Sequence, residues 1–126
     1  DDPAAIRTAP MSWFGEDDLA EERVIPLVVL ERPCRFREAA IASLEASDRP
    51  YRITVETPNL STLRAAVQAR LGITCRSHLF LRDLPALPAT ALPALPAVAC
   101  ILATSRQLNP AAARLAQLTT DVLRAL

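Results

Sequence analysis

Lysine is missing from this chain of 126 residues: all 14 basic residues are arginine. No Schiff-base lysine and no Walker lysine can therefore exist in it. Glycine is almost missing as well, with Gly15 and Gly72 alone. That excludes the G-x-G-x-x-G turn, the P-loop and the nucleophile elbow, which need glycine where backbone turns sharply or approaches a phosphate. His78 is the single histidine, so no site with two histidine ligands is possible, and any Ser or Cys hydrolase dyad has to use it. The three cysteines, Cys34, Cys75 and Cys100, are widely spaced and form no C-x-x-C, which rules out a zinc ribbon or a thioredoxin motif. Their apolar settings read as small core residues in a reducing cytosol. The formal net charge is +0, so nothing advertises a nucleic-acid or membrane surface. No apolar run is long enough to cross a bilayer, and no signal peptide is visible.

What is present is enough apolar material, 51% of residues, to bury the core of one domain or of one lobe of something larger. The start at Asp1, without an initiator methionine and on what reads as mid-domain sequence, suggests a fragment. Residues 1–10 read as a connector. Met11–Gly15 reads as a short strand, and the acidic run EDDLAEE as a solvated loop. Val24–Leu30 is an apolar, largely β-branched strand of the kind covered on both faces, with Pro26 placing it near a strand start or a sheet edge.

The pattern turns helical from Phe36 to Ala46, with Phe36, Ala39, Ala40 and Leu44 on one face and Arg37, Glu38 and Glu45 on others. Arg52–Glu56 alternates, with Ile53 and Val55 on one face of a strand. A second helix opens at Thr57-Pro58-Asn59 and buries Leu60, Leu63, Val67 and Leu71, with Gly72 as its left-handed cap. Ile73–Cys75 is a further strand, so residues 24–75 read β-α-β-α-β, the unit of a parallel sheet with right-handed crossovers. The repeat LPALPA, at 84–89 and 92–97, favours a stiff extended connector whose leucines pack on the domain it skirts. Val98–Ala103 reads as an apolar strand. Asn109-Pro110 starts a closing helix with Leu115, Leu118, Val122 and Leu126 at core spacing.

The junction of the first confident strand with its helix, ERPCRFRE, is the natural ligand mouth. Free backbone N–H groups and the helix dipole face outward there. Arg35 and Arg37 flank the first helical turn on different sides, so one is expected to face the cleft and one solvent or a partner. Thr57, Asn59 and Ser61 stand at the next junction, first as caps and second as ligand contacts. A Cys34–His78 dyad and an acid/base pair among Glu31, Glu38 and Glu56 are conceivable. The same residues are explained more cheaply as a turn thiol, a loop histidine and solvated carboxylates.

Taken in order, W-F-G, IPLVVLERPCRFREAAIASLEAS, YRITVETPNLSTLRAAVQARLGIT and LPALPAVACILATSRQLNPAAARLAQL resemble the effector-binding half of LysR-type transcriptional regulators, over roughly residues 11–126. Within that family the flavour is that of the LrhA/HexA-like branch. Arg70 stands where the family commonly has glycine, and Thr57-Pro58-Asn59 where serines are common.

The resemblance implies an α/β chain, a Rossmann-like β-α-β-α-β lobe of a type II periplasmic-binding-protein fold with a trailing strand and helix belonging to the other lobe. Residues 1–10 would be a connector, 11–80 the second regulatory subdomain, 81–97 a proline-rich crossover, and 98–126 the returning strand and C-terminal helix of the first subdomain. The function implied is effector sensing and oligomerisation for a bacterial DNA-binding regulator in the cytoplasm. A small anionic or polar effector would bind at the inter-lobe cleft. The cleft edge would comprise Pro33, Cys34, Arg35 and Phe36 with Thr57, Asn59 and Leu60. No cofactor, no metal, no catalytic residue and no membrane partner is implied, and DNA would be reached only through a domain absent from this chain. Without the rest of the first subdomain, the strand at 98–103 and the last helix would expose apolar surface and drive self-association or repacking. A solute-binding protein of a transport system, or a small Cys34/His78 enzyme, are the alternatives.

Overall fold

In chain order the elements are β1 (Arg7–Phe14), α1 (Asp17–Ala20), β2 (Ile25–Leu30), α2 (Arg35–Ala46), β3 (Tyr51–Thr57), α3 (Leu60–Gln68), β4 (Thr74–Ser77), β5 (Ala97–Cys100) and α4 (Pro110–Ala125). They come from a computed structural model that describes residues 7–78, 83–100 and 109–125. The chain separates into two units, Pro10–Pro96 and a smaller one made of Asp1–Ala9 with Ala97–Leu126.

β2 organises the larger unit. Ile25, Leu27 and Val29 pack with Ala40 and Leu44 of α2, while Val28 packs with Leu63, Ala66 and Val67 of α3. Helices on both faces explain why the strand is apolar without alternation. β3 runs parallel to β2 from Ile25↔Tyr51 to Leu30↔Thr57. On the other side Ile73 forms a parallel bridge with Leu27: its N–H donates to the Pro26 carbonyl at 2.8 Å, and its carbonyl accepts from Val28 N at 2.9 Å. The β-α-β-α-β reading of residues 24–75 therefore holds. Pro26 is tolerated in a strand flanked on both sides because its missing N–H falls at the mouth of the Ile73 contact, at the second residue of β2. β4 continues from Ile73 and pairs antiparallel with β1, and the three-stranded order is β4-β1-β5.

The register slips between Leu27 and Val28, so that Ile53 sits opposite Leu27 and Val55 opposite Val28. Neighbouring residues of β2 face opposite ways, so Ile53 and Val55 do too, and the expectation that they share a face fails. Ile53 is left 40% exposed. The skipped Thr54 holds the bulge, its hydroxyl within hydrogen-bond reach of the carbonyls of Leu71 at 2.7 Å and Leu27 at 3.2 Å.

Both crossover helices end in Schellman turns. In α2, Arg49 N donates to Leu44 O at 2.9 Å and Asp48 N to Glu45 O at 3.2 Å; in α3, Leu71 N donates to Ala66 O at 3.0 Å and Arg70 N to Val67 O at 3.1 Å. The left-handed residues are Asp48 (φ 53) and Arg70 (φ 62). Gly72 is not the cap. It is needed because a Cβ there would lie 2.8 Å from the Pro26 carbonyl, where the chain enters beside β2. Leu71, the second residue past the cap, is half exposed and not part of the buried stripe.

Two further expectations change. β1 starts at Arg7, inside the span read as a connector, and the acidic loop contains the single turn α1, which buries Leu19 and Ala20. The proline segment keeps its expected role. Leu84, Leu87 and Leu92 are buried, and the arm lies along β1: Gly15 N donates to Pro85 O at 3.1 Å, Leu87 N to Trp13 O at 2.8 Å, and Met11 N to Pro96 O at 3.2 Å. A proline cannot donate to an edge but its carbonyl can accept, so Pro96 and Pro85 take the N–H groups of Met11 in β1 and of Gly15 just after it.

In the smaller unit, Asn109 caps α4 by accepting from Ala112 N at 2.7 Å, with Pro110 at the first helical position as expected. No residue of α4 is buried. Positions 101–103 of the last expected strand and Leu126 lie outside the described residues.

Candidate functional site

β2 and β3 are parallel and end in register, and Glu31 N donates to the Thr57 carbonyl at 3.0 Å. The two strand-to-helix corners therefore open side by side on one rim of the larger unit, at the carboxyl ends of the strands. In open α/β sheets this is where ligands bind.

The first corner leaves β2 through a cis Arg32–Pro33 peptide and caps α2 with Cys34, whose sulfur accepts from Arg37 N at 3.5 Å. Sulfur is a weak acceptor, so this cap holds the first turn less firmly than an oxygen would. The second corner is tighter. Thr57 Oγ1 accepts from Asn59 N at 3.3 Å, and Asn59 Oδ1 accepts from Thr62 N at 2.9 Å. The N–H groups of Leu60 and Ser61 have no partner inside α3, and its first turn carries no acid. Of the residues expected at the rim, Pro33, Arg35 and Asn59 are exposed, Cys34, Phe36 and Leu60 are partly buried, and Thr57 is buried.

Of the two arginines beside Cys34, Arg37 turns inward. It is 7% exposed, donates to the Leu30 carbonyl at 3.1 Å and forms an ion pair with Glu56. A long cation can be buried here because a carbonyl and a carboxylate meet one end of its guanidinium. Glu56 is thereby engaged, which removes it from any acid/base pair. Sequence reasoning placed Arg37 on an outer face. The available signal was its spacing from Ala40 and Leu44, i, i+3, i+7 on the inner stripe.

Arg76 was also missed. It lies in β4, 8% exposed, with its guanidinium carbon 4.1 Å from the centroid of the Phe36 ring. Burial lowers its pKa, opposed by the nearby thiols of Cys34 and Cys75. Burial likewise pushes the Cys75 thiol up to about 12, with Arg76 opposing. Cys75 thus stays a protonated core thiol, its sulfur 3.9 Å from Met11 Sδ. Leu30, Cys34, Phe36, Arg37, Cys75 and Arg76 line a cavity of about 10 Å³ where β2 meets β4. It has room for about one water.

His78 is exposed in the turn after β4 and does not line this cavity. Among the described residues no group of three or more His, Cys, Asp and Glu is placed to hold a metal ion. No helix among them is long and apolar enough to cross a membrane.

Comparison with known proteins bears on the family and the fold. The HTH-type transcriptional regulator PecT of Dickeya dadantii (strain 3937) is 40% identical over 74 residues, 57% of this chain and 23% of that protein. Two solved structures share the fold. The regulatory domain of CcmR from Synechocystis PCC6803, in complex with 2-PG, superposes with a TM-score of 0.60 at 19% identity, over 96% of this chain and 64% of that one. The bromide ion-bound regulatory domain of HypT from Salmonella typhimurium gives a TM-score of 0.62 at 12% identity, over 96% of this chain and 63% of that one. The chain thus spans under a quarter of the curated relative and just under two thirds of each regulatory domain. The family described as LysR substrate binding domain matches residues 5–124, and the chain belongs to it.

Proposed function

We propose that this chain senses a small anionic or polar molecule at the rim formed by the β2–α2 and β3–α3 corners. It does so for a bacterial LysR-type regulator that reads DNA through a domain outside residues 1–126. The family is one of non-enzymatic transcription-factor domains, so recognition, not turnover, is the chemistry to explain. The observation that carries the reading is the α3 corner. Asn59 uses its carbonyl oxygen on Thr62 N, leaving the N–H groups of Leu60 and Ser61 for a ligand at the positive end of a helix without acids in its first turn. Arg35, exposed at the neighbouring corner, adds charge of the same sign. The regulatory domains of similar fold are described with 2-PG and with a bromide ion, which accords with an anion-tolerant pocket class. A LysR-type regulator acts on DNA, so a cytoplasmic location goes with this reading.

Asn59→Asp tests it. Aspartate caps a helix as well as asparagine does, so α3 and the melting temperature are expected to hold. The added charge would repel an anion, and affinity for any hit from a panel of small carboxylates and phosphate esters should fall about tenfold, roughly 1.4 kcal/mol. Calorimetric titration of both proteins decides: equal affinity for every anionic hit would rule this corner out.

A further inference from the structure

The proline arm does not follow β1 all the way. Leu87 N donates to the Trp13 carbonyl at 2.8 Å, and the next bond, Met11 N to Pro96 O at 3.2 Å, comes only after the chain has arched away through 88–95. Beneath the arch lies a cavity of about 210 Å³, with Met11, Ser12 and Trp13 on the strand side and Pro88, Pro93 and Leu95 on the arm side. The arch is a fixed wall and not a slack loop. Trp13 Nε1 donates to Pro93 O and Ser43 Oγ to Ala94 O, both at 2.8 Å. Ala91 N closes a turn onto Pro88 O at 3.0 Å, and Leu87 and Leu92 are buried. Prolines at 85, 88, 93 and 96 further limit the conformations into which the arm could collapse. A pocket held open in this way costs a ligand little reorganisation.

The strand side offers a donor and an acceptor. The Trp13 carbonyl faces the arm, and in an antiparallel strand the N–H of the same residue points the same way. That N–H has no backbone acceptor among the described residues, and buried backbone donors are seldom left unpaired. Two residues earlier, the Met11 carbonyl would accept from the N–H of residue 96 in a regular ladder, and Pro96 has none. The walls narrow the class of ligand. An indole, a thioether and proline rings favour a flat aromatic body. Among the described residues no charged side chain lines the cavity, so an ion would be desolvated there without a counter-charge. Size agrees: an engineered apolar cavity of about 150 Å³ takes benzene, so this one admits a ring with a small substituent.

We propose that this cavity binds one small uncharged aromatic carboxamide, its ring between Trp13 and the arm, its carbonyl accepting from Trp13 N–H and its amide N–H directed at the Met11 carbonyl. None of the rim residues lines the cavity, so the site stands or falls apart from any effector at Thr57 and Asn59. An occupant would tie the arm to β1 where the ladder between them is interrupted.

Trp13 is the single tryptophan of the chain, so its fluorescence reports on this cavity directly. Benzamide titrated into the 126-residue chain, with excitation where benzamide does not absorb, should change that emission saturably, with a Kd of roughly 1 mM. Benzoate, the charged counterpart of the same shape, should bind at least about tenfold more weakly. In amide-resolved NMR spectra the largest benzamide shifts should fall on the N–H groups of Trp13 and Leu87, with Asn59 and Leu60 at the rim unmoved. An unchanged emission, or a linear loss that never saturates and so reflects collisional quenching, overturns the site. Equal affinity for benzoate, or shifts centred on the rim, overturns it as well.

Discussion

Arginine 70 is the residue at which this chain bears an avoidable cost. It occupies the left-handed position of the turn that closes α3, at φ 62, where a Cβ crowds the backbone and glycine is at ease. Its compensation is an ion pair with Asp18, with Glu16 at 3.9 Å beside it, but the side chains of Arg70 and Asp18 are 51% and 62% exposed and solvent screens most of that. Arg70→Gly should therefore stabilise the chain by a net of about 0.5–1 kcal/mol, after the extra freedom glycine gains when unfolded. Arg70→Ala loses the ion pair and keeps the strain, so it should be neutral or slightly destabilising. Urea unfolding of the two variants separates conformation from charge; shifts of equal sign and size would contradict this account. The departure of Arg70 from the family pattern was legible in the sequence, but the consequence was assigned to Gly72 instead. The reason is physical. A single chain shows where glycine occurs, and not whether it is there for its φ or, as at Gly72, for the 2.8 Å that a Cβ would leave to the Pro26 carbonyl.

At the scale of elements, periodicity was a good guide wherever one helix face met one sheet face. The unbroken apolar run of β2, Leu63 and Val67 in the stripe of α3, and the N-caps at Asn59 and Asn109 were readable for that reason. It failed where a local irregularity changed phase, as at Thr54, and where a charged side chain was buried with its partners far off in sequence. Arg37 is 19 residues from Glu56, and no spacing rule links them. The proline arm shows the reverse: a composition that forbids regular structure still has a definite place, because its carbonyls accept from β1. Trp13 fastens it, the indole N–H donating to the Pro93 carbonyl at 2.8 Å. Trp13→Phe should keep much of the ring packing and lose this bond, at a cost of about 1 kcal/mol. Hydrogen exchange should then quicken over residues 84–96, Leu87 above all, while α2 and α3 hold their protection. Unchanged exchange in the arm would show that leucine burial alone holds it.

For the whole molecule the open question is what covers α4. Leu115, Leu118 and Val122 follow i, i+3, i+7 and are 66%, 44% and 61% exposed. A sixteen-residue helix with no buried residue has little to hold it, since isolated helices of that length are marginal in water. An apolar stripe on such a helix calls for a partner surface. A second copy offers the same stripe, and a two-fold contact would let each α4 cover the other. Sedimentation equilibrium of the chain should therefore give a mass above that of one copy at tens of micromolar (roughly where weak two-fold contacts populate), decreasing on dilution. Replacing Leu118 and Val122 together by glutamate should return the mass to one copy with far-UV circular dichroism little changed, because no core residue is touched. A wild-type chain that stays monomeric throughout, or a double variant that still associates, would remove α4 as the contact and leave its apolar stripe to be covered by other means.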